Sequence, residues 1–152
     1  MAPKRAEHSL VIEAEPGICF DAITEYETFP DWQQSIKTVD VVSRDKQGRG
    51  SEVAFEIDAI VRQISYRLQY HYEEPHRITW DYLGGDIKSV DGEYVFEENG
   101  DGTTLATYQL ALDPGVWIPG PIAGKLREQV MQRSMDELKA RVEKEREKEK
   151  EG

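Results

Sequence analysis

The stretch Asp113-Pro114-Gly115-Val116-Trp117-Ile118-Pro119-Gly120-Pro121 leads into a segment carrying Ile122, Leu126, Val130, Met131, Met135, Leu138 and Val142. Those apolar residues recur mostly at steps of three and four, the period of an amphipathic helix with one apolar stripe. Pro121 suits the first turn, where its missing N–H is not needed. From Pro121 to Val142 the helix spans roughly 33 Å at about 1.5 Å per residue. It is long enough to lie across a whole small domain, so the fold depends on the surface it covers.

Upstream of this segment the chain reads as strands. Thr103 to Asp113 places Ala106, Tyr108, Leu110 and Leu112 on one face, and Asn99-Gly100-Asp101-Gly102 before it is a strong turn signal. Ile87 to Glu97 is the preceding strand, and Gly84-Gly85 marks a hairpin. Arg77 to Leu83 carries Ile78, Trp80 and Tyr82 on one face. In Gln63 to Glu73, Ile64, Tyr66, Leu68, Tyr70 and Tyr72 face one way, and Ser65, Arg67, Gln69 and His71 face the other. Glu52 to Ile60 aligns Val53, Phe55, Ile57 and Ala59, and the Gln47-Gly48-Arg49-Gly50 turn connects it to Ile36–Arg44. Short connections predict antiparallel pairing. Ahead of these six strands lie a first strand, His8 to Glu13, and a short helix, Pro16 to Thr24, with Ile18, Phe20 and Ile23 buried. A second helical turn follows, Glu27 to Gln33, carrying Phe29, Pro30 and Trp32.

The fold class expected is α+β. A curved antiparallel sheet of six to seven strands wraps around the long C-terminal helix, with two short helices after the first strand. A helix about 10 Å wide does not fill the hollow of such a sheet, so large side chains or a cavity occupy the rest.

Length and charge bound the function. The 152 residues fit one domain. We read residues 1–6 as a flexible N-terminus, 7–142 as the domain and 143–152 as a charged, solvated tail. That tail holds five Glu against four Lys or Arg, so it contributes −1 of the net −11 and the acidity belongs to the domain. Phosphate-binding surfaces need clustered cations, so nucleic acid is not an expected partner, and membrane contact is at most transient. There is no run of 18 apolar residues and no apolar secretory stretch at the N-terminus. The single Cys19 excludes an internal disulfide and reads as a packed thiol. A cytoplasmic location is the expectation. The histidines His8, His71 and His76 show no metal-ligand spacing, and the chain calls for no metal and no cofactor.

Particular residues carry a resemblance. They are Pro16 and Phe20 in the first helix, Phe29-Pro30-Asp31-Trp32 before the second strand, Asp91-Gly92-Glu93-Tyr94, Gly102-Thr103-Thr104, and Trp117-Ile118-Pro119-Gly120-Pro121. Their order and spacing over residues 7–142 resemble the helix-grip START-like superfamily, also called SRPBCC. The branch that matches is that of polyketide cyclases/dehydrases and coenzyme Q-binding proteins. The resemblance implies a deep apolar pocket between sheet and long helix, used for lipids, sterols, polyketides, quinones or hormones.

If the apolar face of each strand is concave, the lining follows from parity. It comprises Phe55, Ile57, Tyr66, Leu68, Tyr70, Tyr72, Trp80, Tyr82, Tyr94, Phe96, Tyr108 and Leu110, with Leu126, Val130 and Met131 from the helix. Lys88 is the one charged residue on that parity, and Gly92 either opens room for a ligand or marks a bulge. A one-residue slip would bring in Asp58, His71, Asp81 and Glu93 instead. Val116, Trp117 and Ile118 form the expected gate. Tyrosine and tryptophan offer donors that orient a ligand but no proton carrier near neutral pH, which favours a non-catalytic carrier. The alternative is a polyketide aromatase/cyclase or dehydratase using the same cavity. A third reading is an interaction module similar to the ribosome-association toxin of the branch, against which the acidity argues. Ligand identity and oligomeric state stay open.

Overall fold

The computed structural model describes residues 6–58 and 62–151, with side chains as far as Lys148. Its elements are β1 (Ala6–Ile12), α1 (Pro16–Thr24), a 3₁₀ turn (Tyr26–Thr28), α2 (Phe29–Trp32), β2 (Ile36–Arg44) and β3 (Gly50–Asp58). They continue with β4 (Gln63–Glu73), β5 (Arg77–Gly85), β6 (Ser89–Glu98), β7 (Thr104–Asp113) and α3 (Gly120–Glu151). The strands form one antiparallel sheet ordered β1-β7-β6-β5-β4-β3-β2. Each strand from β2 to β7 pairs with the next, and β1 closes onto β7. This is the helix-grip arrangement expected, with seven strands.

Boundaries shift where backbone geometry decides. The Glu27–Gln33 segment splits into a 3₁₀ turn and a single α-turn, which seats Tyr26 and Phe29 in the core. Gly50 joins β3 and pairs with Arg44 instead of closing the turn. Ala59 and Ile60, expected to end β3, lie outside the described residues. Gly84 and Gly85 do not form the hairpin turn. They end β5 with φ of 135° and 150°, and the register against β4 shifts between Arg67 and Leu68. A Cβ on Gly85 would lie 2.4 Å from the Ser65 carbonyl, so glycine permits a bulge there and the turn falls on Asp86–Lys88. Lys88 consequently lies before β6, exposed and 3.7 Å from Asp113, and not on the concave face.

The stripe on α3 is used unevenly. Met131, Met135, Leu138 and Val142 are buried to 2% exposure or less, whereas Ile122 is 53% and Val130 43% exposed. The helix packs on β1, α1 and β7, and its fully buried stripe runs from Met131 to Val142. A straight rod meets a curved sheet along only part of its length, so the first turns stand off. Beyond Val142 the helix continues to Glu151, and its first added turn docks. Glu143 accepts the Glu13 amide at 2.9 Å, and Arg146 donates to the Glu13 carbonyl. No helix among the described residues is long and apolar enough to cross a membrane.

Candidate functional site

The register puts the aromatic parity on the concave side. Phe55 pairs with Tyr66, Tyr70 with Trp80, and Tyr94 with Tyr108, so large rings stack across β3 to β7. The slipped alternative is excluded. Asp58, His71 and Asp81 are exposed, His71 and Asp81 meet at 2.9 Å, and Glu93 pairs with Arg77 at 2.7 Å on the convex face.

Between this face and α3 lies a cavity of about 120 Å³. Its wall contains nine of the expected residues: Phe55, Ile57, Tyr66, Leu68, Tyr70, Trp80, Tyr94, Tyr108 and Val130. Six expected residues are elsewhere. Tyr82 turns its hydroxyl to the Ile87 carbonyl at 2.5 Å, while Phe96 and Met131 are packed in the core beyond the cavity. Leu126 is half-buried on the part of α3 that stands off the sheet. Tyr72 and Leu110 likewise belong to the core, Tyr72 donating to the Gly50 carbonyl at 2.5 Å and accepting from Tyr26 at 2.7 Å. The expected gate residues do not line the cavity. Val116 and Trp117 are 64% and 87% exposed, and Ile118 is half-buried.

The wall also holds residues that strand parity did not single out. Ile23, Tyr26 and Phe29 come from the α1–α2 region at helical spacing, Gln33, Ser35 and Ile36 from the linker into β2, and Ser134 from α3. Ile78 and Val90 complete it; both share parity with lining residues, which was the available signal. Gly92 neither opens space nor bulges against β7. The β6–β7 register runs through it unbroken, and the indole of Trp80 fills the gap, 2.7 Å from where a Cβ would stand.

Electrostatically the cavity is neutral. The rings of Tyr26 and Tyr70 lie 4.6 Å apart and those of Tyr94 and Tyr108 4.5 Å, with Trp80 5.6–5.9 Å from Tyr70, Tyr94 and Tyr108. Burial pushes the phenol of Tyr66 up to about 12 and holds those of Tyr26, Tyr70, Tyr94 and Tyr108 well above their ordinary value. No Asp, Glu, His, Lys or Arg is among the described lining residues. The indole Nε1 of Trp80 is buried without a hydrogen-bond partner. Such a wall can hold apolar rings or chains and donate hydrogen bonds to an oxygen or nitrogen they carry, with every phenol of the wall protonated at neutral pH.

Comparisons place this geometry among known proteins. No curated protein sequence matches the chain. The model of the family described as polyketide cyclase / dehydrase and lipid transport matches residues 3–143. A START superfamily protein from Mycobacterium smegmatis superposes with a TM-score of 0.85 at 19% identity, covering 92% of this chain and 97% of that one. The Zhui aromatase/cyclase from Streptomyces sp. R1128 gives 0.80 at 11%, covering 92% and 93%. The major latex-like protein 151 of Panax ginseng gives 0.69 at 12%, covering 93% and 99%. At such identities the superpositions establish the fold. The match over almost the whole sequence, on a helix-grip fold, means that the chain belongs to the polyketide cyclase/dehydrase and lipid transport family.

Proposed function

We propose that this protein binds and carries a hydrophobic small molecule, a lipid, quinone or polyketide-like compound, in the cavity between sheet and α3. The observation that carries the reading is the wall itself, in which aliphatic and aromatic groups surround phenols kept protonated by burial. General acid–base chemistry needs a group that exchanges protons near the working pH, within hydrogen-bond reach of the substrate. A wall of protonated phenols favours binding over the competing aromatase/cyclase reading.

Native mass spectrometry of the purified protein tests this. The expected result is a bound organic mass that is released on denaturation. Tyr70→Arg or Tyr94→Arg, which places a charge in the cavity, should lose that mass while keeping the native circular dichroism spectrum. Unchanged ligand capture by both folded variants would refute the site.

A further inference from the structure

The cavity reaches the surface at one side of α3. Val130 lines it and is also 43% exposed, and Ser134, one turn on, lines the same side. Gln33, Ser35 and Ile36 form the opposite lip. Their sequence neighbours face outward. Gln34, with Gln129, Gln132, Arg133, Asp136 and Glu137 of α3, lines an open groove of about 420 Å³. Inside and outside therefore alternate along both lips. One hydrogen bond ties the lips together, from the Gln34 amide to Glu137 Oε2 at 2.9 Å.

Size argues that both spaces serve one ligand. The inner cavity of about 120 Å³ is smaller than the roughly 150 Å³ that accommodates a benzene ring. Small-molecule sites usually occupy roughly 300–1,000 Å³, a range the outer groove reaches. The chemistry of the groove differs from that of the cavity. Each glutamine amide both donates and accepts, while Arg133 and Asp136 carry opposite charges three residues apart on one helix. Glu137 is engaged by Gln34. This set suits a neutral group bearing hydroxyls or amides better than a carboxylate or phosphate.

We infer that the groove is a second binding subsite and that the ligand is an amphiphile threaded between α3 and the 33–36 linker. Its apolar end occupies the cavity, and its neutral polar end lies on Gln34, Gln129, Gln132 and Arg133. This inference rests on the cavity reading above and extends it.

The test is NMR titration of isotope-labelled protein with hexanol and with hexyl glucoside, which share a tail and differ in the head. Both should move the backbone amides of Phe55 and Tyr94. The glucoside alone should move the side-chain amides of Gln34, Gln129 and Gln132, and bind about fivefold tighter, as one net neutral hydrogen bond would give. Replacing the exposed Gln129 and Gln132 together by Ala should remove that advantage and leave hexanol binding alone. Ser134→Trp should hinder both probes, and Trp117→Ala should hinder neither. Immobile glutamine amides, or an advantage that survives the double substitution, overturn the subsite while hexanol uptake keeps the cavity reading. Lost uptake in Trp117→Ala would move the mouth to the 116–118 loop and also overturn the inference. If neither probe reaches Phe55 and Tyr94, the cavity reading itself fails.

Discussion

At Gly92 the absence of a side chain shapes the cavity wall. An added Cβ would lie 2.4 Å from the Gln109 carbonyl and 2.7 Å from Trp80 Cζ2, so both a strand backbone and a buried ring would have to move. Gly92→Ala is expected to cost about 1–3 kcal/mol, the usual range for overpacking, and to displace the indole. Chemical denaturation and the near-ultraviolet circular dichroism of Trp80 would report it, and an unchanged midpoint would contradict it. A glycine inside a strand was visible in the sequence. Its occupant was not, because Trp80 reaches Gly92 only through the β5–β6 register. Cys19 is the opposite case: a lone cysteine between Ile18 and Phe20 reads as packed. Burial indeed raises its thiol from about 9 to about 11. Native Cys19 should therefore resist alkylation at pH 8 and react only on unfolding, which a thiol-reactive dye with and without denaturant would measure.

Among the elements, α3 separates what periodicity predicts from what docking selects. Its apolar stripe is continuous in sequence, yet Leu138 is fully buried and Ile122 is 53% exposed. Leu138→Ala should cost about 2–5 kcal/mol, the range for a buried leucine truncated into a cavity. Ile122→Ala should stay within about 0.5 kcal/mol, as substitutions away from packed features do. Urea midpoints of the two variants decide the matter, and similar losses would mean that the whole stripe is docked. The residues expected as a gate lie away from the cavity wall for a related reason. Trp117 and Val116 stand in the loop before α3, and nothing local to that loop revealed which part of the helix borders the cavity. The inferred mouth combines Val130 and Ser134 with Gln33 and Ser35, residues about a hundred positions apart in sequence.

For the whole molecule, the concentration of tyrosines has a thermodynamic consequence. Six of the seven tyrosines have phenols raised above the ordinary value of 10, mainly by burial, Tyr66 and Tyr72 to about 12. A raised acid keeps its proton in the folded state after the unfolded chain has lost it. Stability from these groups is therefore complete below pH 10 and is lost as pH rises through about 12. Cys19, also raised by burial, adds a loss of the same sign starting near 9. Urea midpoints should stay nearly level from pH 7 to pH 9 and fall steeply above pH 10, with the absorbance of the six raised phenols delayed until unfolding. Phenolate absorbance worth more than one tyrosine appearing near pH 10 in the folded protein would contradict the burial. The sequence alone determined the element order, the antiparallel pairing, the apolar parity of each strand and the apolar stripe of α3, on which the nine expected wall residues lie. Each of those follows from local periodicity and short turns, which act over a few residues. Tertiary structure decided the size of the cavity, the part of α3 that docks, the residue that fills Gly92 and which residues of α3 and the 33–36 linker border the cavity. Those depend on how far the sheet curves away from a straight helix, a quantity set by long-range packing that no local pattern encodes.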